Sequence, residues 1–435
     1  MKFRVINNAT TLVNDDFIID PWIYGNLYNN TWSPKTKPTF KKKDLKKIKH
    51  CFISHVHQDH WDLDTIKYFN KKVKFYLPDL PFNYIIGKTL KKFNFKNIIY
   101  LPLSKFHKIS NKYKIFILGP LNSYGLETDR IDIKDDDNVD IDTGIILNSI
   151  ETKTNHLLLS DNSPYDLKIY KKYLDGYKNL KISSIFFPYN GFAQDFPLNY
   201  ENYSLSEKKK ISQSMSSLRE RYLIRFINYI KPKILIPYSS DFKINHLKKL
   251  FKKVHPKIFL DKELYSKRIE KKTKIKSTAL YDRDLLLYSN NQFKVIKYKG
   301  KLNLLNKDRV KINLPRINKN LNFKQLLQKS FQKYFERISK YNMNIADIKK
   351  SNLTLEIDKK KYFLNTKDRS ISIIRKVKKN KSLVLITNRK IMQAILERKI
   401  HINNAQIGCL LKWRRYPKSY LSTVNIFKSL NFLHV

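Results

Sequence analysis

Short apolar runs broken by polar turns dominate the first 300 residues, and runs of that length rich in Ile, Val, Phe and Tyr read as strands. Phe3–Ile6, Thr11–Val13 and Phe17–Asp20 predict a hairpin-like start, with Asn14-Asp15-Asp16 as one turn. Ile48–Ile53 reads as a short strand, and Asp62–Ile66 as a helix start with acidic residues in its first turn. Strand and helix signals then alternate: strand over Lys72–Leu77, helix over Asn83–Lys92, strands over Ile98–Leu103 and Tyr113–Leu118. Thr143–Leu147 and His156–Asp161 read as adjacent strands, Ile182–Phe187 as another, and Glu207–Tyr229 as a long helix. Lys231–Phe242 reads as a strand and a loop, Ser266–Thr278 as a lysine-dense solvated connection, and Tyr281–Tyr298 as a hairpin about Ser289-Asn290-Asn291.

Residues 301–320 are polar and basic and read as a linker between a domain over 1–300 and a smaller one over 321–435. The second part opens with an amphipathic helix, Phe323–Tyr341, whose Leu326, Leu327, Phe331, Phe335 and Ile338 fall at helical spacing. Leu353–Ile357 and Lys361–Leu364 predict a hairpin, Leu383–Thr387 a strand, Arg389–Leu396 a helix and Tyr420–Leu430 a final helix. The pattern as a whole predicts an α/β chain with a small α+β C-terminal module.

Composition narrows the class. With 42% hydrophobic and 13% aromatic residues the chain can build packed cores and is not disordered. No apolar run is long enough to span a bilayer, and Met1–Asn8 lacks the apolar stretch of a secretory signal. Two cysteines far apart, Cys51 and Cys409, give no disulfide framework, so a cytoplasmic location is expected. The formal net charge of +50 invites a nucleic-acid partner. Lysine is spread over the whole chain, however, and Asn, Ile, Tyr and Phe are abundant while Gly is scarce at 9 residues. That points to AT-rich codon usage rather than a nucleic-acid surface. Glu127–Asp142, with Asp135-Asp136-Asp137, is an acidic exception and reads as a solvated loop.

The chemistry concentrates in Ser54-His55-Val56-His57-Gln58-Asp59-His60-Trp61-Asp62, which holds three of the ten histidines. Neutral imidazoles and a carboxylate on a turn between strand and helix are ligands that Zn, Fe or Mn accept. The string resembles the H-x-H-x-D-H motif of the metallo-β-lactamase superfamily. That resemblance implies a four-layer αββα sandwich, with His55 and His57 on a first metal and Asp59 and His60 on a second. It further implies that Asp161, in Leu159-Ser160-Asp161-Asn162, bridges the two, and that Asp20 lies beneath the metals. Gly25–Pro34, Pro188-Tyr189-Asn190-Gly191 with Phe196-Pro197, and Pro237-Tyr238-Ser239-Ser240 resemble a narrower branch. So do Asn403-Asn404-Ala405 with Ile407-Gly408 and the terminal Asn431-Phe432-Leu433. That branch contains the β-lactamase-like domain of CMP-N-acetylneuraminate hydroxylase and its bacterial relatives. The C-terminal module also faintly resembles sterol-carrier-like domains.

One departure matters. The superfamily usually supplies a further histidine after a strand such as Tyr113–Leu118, and another near residue 238. Here the sequence offers Gly119–Gly125 and Pro-Tyr-Ser-Ser. His107, His156 and His246 do not fit the site: His107 reads as a surface residue, His156 starts the strand whose far end carries Asp161, and His246 sits on a lysine-rich, solvated helix. Five metal ligands remain: His55, His57, Asp59, His60 and Asp161, with Asn122 or Asp142 as substitutes. One or two divalent ions, zinc first and Fe or Mn otherwise, would then serve a hydrolase in which Asp59 orients or deprotonates water. Its substrate would be a small-molecule ester, lactone or phosphodiester of a sugar, nucleotide-sugar or phospholipid. A hydroxylase-like protein, a non-catalytic metal-binding accessory protein and a nuclease are the alternatives. A Rieske cluster needs a Cys/His pattern that these two cysteines do not supply.

Overall fold

The computed structural model describes residues 1–80, 83–119, 121, 142–162, 167–177, 179–189, 195–300, 310–340, 352–365, 368–377, 379–418 and 430. They form a mixed α/β fold with several sheets. In the first part the strands are β1 (Lys2–Asn7), β2 (Thr10–Val13), β3 (Phe17–Ile19), β4 (Trp32–Pro34), β5 (His50–Phe52), β6 (Lys74–Pro78), β7 (Ile98–Leu101) and β8 (Phe106–Lys108). There follow β9 (Tyr113–Leu118), β10 (Gly144–Ser149), β11 (Thr154–Leu158), β12 (Ile182–Pro188), β13 (Ile234–Tyr238), β14 (Phe242–Ile244), β15 (Leu285–Ser289) and β16 (Gln292–Ile296). An eight-stranded sheet runs β16-β15-β1-β2-β3-β5-β6-β7, and a six-stranded sheet runs β13-β12-β11-β10-β9-β8. In each sheet the strands that lead into the site, β3 with β5 and β11 with β12 and β13, are parallel.

Strand alternation explains how the sheets pack, because successive side chains leave opposite faces. In β9, Tyr113, Ile115 and Ile117 enter one buried cluster while Phe116 and Leu118 enter another. In β3, Phe17 and Ile19 join the first of these and Ile18 a third. The first cluster lies between the two sheets: Phe3 of β1 and Phe186 of β12 have ring centroids 5.2 Å apart, and Phe17 and Tyr113 5.5 Å apart. Behind the eight-stranded sheet, Ile18, Cys51 and Phe75 meet Leu45, Ile66 and Leu90 from the helices Lys42–Leu45, Leu63–Ile66 and Tyr84–Lys92. Behind the six-stranded sheet, Phe116, Ile185 and Leu235 meet Phe226, Tyr265 and Ile269 from the helices Leu205–Ile230 and Lys262–Thr273. Each such side chain contributes about 1.5–3 kcal/mol on burial, so these faces, rather than the loops, hold the fold.

The long helix Leu205–Ile230 starts at a Ser204/Glu207 capping box and ends at Lys231 in the left-handed region, with Pro232 next. The stretch Ser266–Thr278 is not a solvated connection. Its first half belongs to the helix Lys262–Thr273, N-capped by the Asp261 side chain. Tyr265, Ile269 and Thr273 fall on one buried stripe, while Lys267, Lys271 and Lys272 are exposed. Glu220, 2% exposed on the long helix, accepts from Arg268 Nε at 2.6 Å and Nη2 at 3.0 Å and pairs with Lys272. His246 is exposed, but it precedes the helix Lys248–Val254 rather than sitting on it, and its Nε2 lies 3.1 Å from the Cys409 carbonyl.

The last sheet joins β17 (Asn352–Ile357), β18 (Lys360–Asn365), β19 (Ser370–Ile374), β20 (Ser382–Thr387) and β21 (Lys412–Tyr416) in the order β19-β18-β17-β20-β21. Phe331 and Tyr334 of the helix Phe323–Lys340, Ile395 of Arg389–Leu396 and Trp413 of β21 share its core. Of the basic linker, residues 301–309 lie outside the described residues; Ile312, Leu314 and Ile317 pack on this core, so the rest of the stretch is docked. The predicted final helix Tyr420–Leu430 lies outside the described residues apart from Leu430, as do Asn122 and most of the acidic run Glu127–Asp142. Among the described residues, no helix is long and apolar enough to cross a membrane.

Candidate metal centre

The candidate residues gather at one end of the two large sheets. Asp20 follows β3, His55 and His57 follow β5, Asp142 precedes β10, Asp161 follows β11 and Ser239 follows β13. Parallel strands deliver their carboxyl ends to one edge, which is why segments remote in sequence meet there.

The histidine loop is locked locally. Asp59 and His60 sit on a single 3₁₀ turn, Gln58–His60, closed by His60 N–H donating to His57 O at 3.0 Å. Trp61 Nε1 donates to Val56 O at 2.7 Å. The Asp62 carboxylate caps the helix Leu63–Ile66 through Asp64 N–H and Thr65 N–H.

The five sequence-predicted ligands are brought together, and Asp142 joins them. His55 Nε2 is 2.9 Å from His57 Nδ1 and 3.5 Å from Asp142 Oδ1. His60 Nε2 is 3.2 Å from Asp161 Oδ2 and 3.4 Å from Asp59 Oδ2. Two groups have ligand atoms all within 4.8 Å of one another: His55, His57 and Asp142; and His55, His60 and Asp161. Donors sharing a tetrahedral ion with bonds of ~2.0–2.1 Å stand roughly 3.3 Å apart. The separations here bracket that figure, so the donor set fits a divalent cation in both chemistry and spacing. His156 is elsewhere, in β11, with Thr154 Oγ1 at 3.0 Å and Ser184 Oγ at 2.8 Å. His107 Nε2 faces the Pro102 carbonyl.

A second ring of groups orients these donors. Asp20 is fully buried; it accepts from Ser54 N–H at 2.7 Å and Ser54 Oγ at 2.9 Å, lies 2.9 Å from His60 Nδ1, and takes a short bond from Ser160 Oγ. Its carboxylate fixes His60 so that Nε2 faces Asp59 and Asp161. Asp59 accepts from Tyr28 OH at 2.6 Å and Asn8 Nδ2 at 3.1 Å. Asp161 accepts from Ser239 Oγ at 2.5 Å. Tyr28 lies in the loop Gly25–Pro34 and Asn8 in the turn after β1; no spacing pattern points to either.

Burial and charge act against each other here. Burial alone would raise the Asp59 carboxyl, but His60, His57 and Tyr28 outweigh it and hold Asp59 below the usual carboxylate range. Burial, with His60 and His57 nearby, pushes the His55 imidazole well down, keeping it neutral. Burial would lower His60 too, yet Asp161, Asp59 and Asp20 around it raise it well above the ordinary histidine value. A pocket that collects carboxylates about one ring is one that attracts positive charge.

No protein-family model and no curated protein sequence matches the chain. Among solved structures it is similar to Igni18, a metallo hydrolase from the archaeon Ignicoccus hospitalis, at 12% identity over 68% of this chain and 99% of that one, with a TM-score of 0.40. It is similar to an isothiocyanate hydrolase from Delia radicum gut bacteria at 18% identity, over 66% and 100%, TM-score 0.42. It is also similar to CmlA, a diiron β-hydroxylase from Streptomyces venezuelae, at 13% identity, over 68% and 54%, TM-score 0.41. None of these shares enough sequence to transfer a role to a residue here.

Proposed function

We propose that this chain is a metal-dependent hydrolase of the metallo-β-lactamase type. In this reading, residues 1–300 form an αββα sandwich, 301–320 a linker and 321–435 a small α+β module. The carrying observation is the run of donor separations from 2.9 to 3.5 Å among His55, His57, Asp142, His60, Asp59 and Asp161. His55, His57 and Asp142 would hold one ion, with Asp142 in place of the family's further histidine. Asp59, His60 and Asp161 would hold a second. Zinc suits this set, and iron or manganese accept the same donors. A divalent cation held there supplies Lewis-acid polarisation and a more acidic water.

The chain's own residues do the rest. Asp59, held ionised, accepts a hydrogen bond and orients the attacking water, while its depressed basicity makes it a poor proton store. Tyr28 and Asn8 fix its two oxygens. Ser239 stands where the resemblance leads one to look for a histidine, and its hydroxyl sets the Asp161 carboxylate. The substrate class we assign is an ester, lactone or phosphodiester of a sugar, nucleotide-sugar or phospholipid. The narrower likeness to the sialic-acid hydroxylase branch rests on the sequence strings Gly25–Pro34 and Pro237–Ser240.

Metal content by plasma mass spectrometry, on protein purified without chelator, tests this. About two equivalents per chain are expected, lost in His57→Ala and Asp161→Ala, with hydrolysis of a chromogenic ester, lactone or phosphodiester following metal content. A wild-type chain that carries no metal and takes up none overturns the reading.

A further inference from the structure

The C-terminal segment does not stand apart from the candidate centre. The helix Ile402–Ile407 begins beside it, with Asn403 Nδ2 3.3 Å from His57 Nε2. The His401 side chain caps this helix at Asn403 N–H. At the far end of the same helix, Gly408 closes against the other wall. A Cβ there would meet Thr31 Oγ1 at 2.8 Å and Tyr28 Cβ at 3.0 Å. Tyr28 is the residue whose hydroxyl holds Asp59. The segment therefore touches both sides of the centre.

The docking around it is specific. Trp32 Nε1 donates to Ile407 O at 3.1 Å, Trp413 N–H to Asn199 O at 2.9 Å, and Glu201 N–H to Trp413 O at 2.8 Å. Asn313 N–H donates to Asn29 O at 2.9 Å, so the chain entering the module is tied to the same loop as Tyr28. Loss of a single bond would leave Asn403 in place.

We infer that Asn403 is a positioning residue of the metal centre, supplied by the C-terminal module: it fixes the ring of His57 through Nε2 so that Nδ1 faces His55 and the cation. The inference rests on the metal-centre reading above. The chemistry of the amide makes the case. His57 Nδ1 lies 2.9 Å from His55 Nε2, so with no cation one ring must donate a proton to the other. With that proton on Nδ1, His57 Nε2 accepts from the Asn403 amide nitrogen. A ring that gives its Nδ1 lone pair to a cation carries its proton on Nε2 instead, and needs an acceptor there. Asparagine offers both a donor and an acceptor from one position, and a half-turn of its amide exchanges them. An aspartate could serve only the second state, and an alanine neither.

The test is Co²⁺ binding to the full-length chain, followed by its visible absorption and by competition with a chelator, for wild type, Asn403→Ala and Asn403→Asp. Asn403→Ala should weaken Co²⁺ binding by roughly 10–100-fold and change the visible band, as expected when a ligand histidine loses its outer partner. Asn403→Asp should bind at least as tightly as wild type. If both variants bind like wild type, Asn403 plays no part in the centre. If both weaken equally, the residue serves only packing, and the inference is likewise overturned. A wild-type chain that binds no Co²⁺ overturns instead the metal-centre reading, so the two failures are told apart.

Discussion

At the level of single residues, the candidate centre divides by distance along the chain. His55, His57, Asp59 and His60 announce themselves because they fall within one short string of residue types that divalent metals accept. Asp161 enters through the family resemblance, and it lies three residues after β11 ends. Tyr28, Asn8, Ser239 and Asn403 were not legible as site residues, since each arrives by a tertiary contact that no periodicity encodes. Asp20 shows what such contacts do. It lies wholly buried and binds Ser54, Ser160 and His60 together. Asp20→Asn keeps the shape but turns one acceptor oxygen into a donor facing groups that need an acceptor. We expect it to lower metal affinity roughly 10–100-fold and to cost about 1–3 kcal/mol of stability. Metal titration and urea unfolding of the same protein check both. Unchanged affinity would mean that His60 is oriented by its loop alone.

Among the elements, strands were easier to read than helices. The β9 alternation survives folding because both its faces are covered, and the hairpin across Asn290-Asn291 because Phe293 and Val295 pack one face of β16 on the core while Gln292, Lys294 and Ile296 stay exposed. The β4–β14 pair leaves little sequence signal because each strand is only 3 residues long. The helix Lys262–Thr273 hides in the sequence because its lysines outnumber its apolar residues; its signal is the i, i+4, i+8 stripe of Tyr265, Ile269 and Thr273. Its burial has a measurable consequence. Ile269→Ala should destabilise the protein by about 2–5 kcal/mol, the usual range for an emptied core site. Lys271→Ala, on the exposed face, should change stability by less than about 0.5 kcal/mol. Equal, small effects in urea unfolding would return this segment to the status of a solvated connection.

For the molecule as a whole, charge and buried histidines push stability in the same direction as pH falls. The chain already carries a formal charge of +50, and acid adds to that self-repulsion. Separately, His156 and His255 are buried far from the candidate centre, and burial lowers both to about 3. His156 is flanked by Thr154 and Ser184, and His255 Nδ1 lies 2.6 Å from Ser212 Oγ. In the unfolded chain each takes a proton below about pH 6.5, while in the folded chain neither does until about pH 3. The unfolded state therefore binds more protons over that window. Their contribution is fully present above about pH 6.5 and is lost progressively as pH falls toward 3. Each group adds a slope of up to about 1.4 kcal/mol per pH unit, and the pair about 3. Salt separates the two effects, because it screens surface repulsion and leaves a buried proton linkage nearly untouched. Urea unfolding between pH 7.5 and 4.5 at high salt should thus still show a steep loss of stability in acid. In the chain carrying His156→Gln and His255→Gln together, the slope should flatten, by up to about 3 kcal/mol per pH unit at the acid end of that range. Only slopes are compared, so any constant cost of the substitutions cancels, as does the titration of the metal-centre groups common to both chains. Parallel curves would show that these histidines charge as readily inside the fold as outside it, and would assign the acid lability to surface charge and the candidate centre instead.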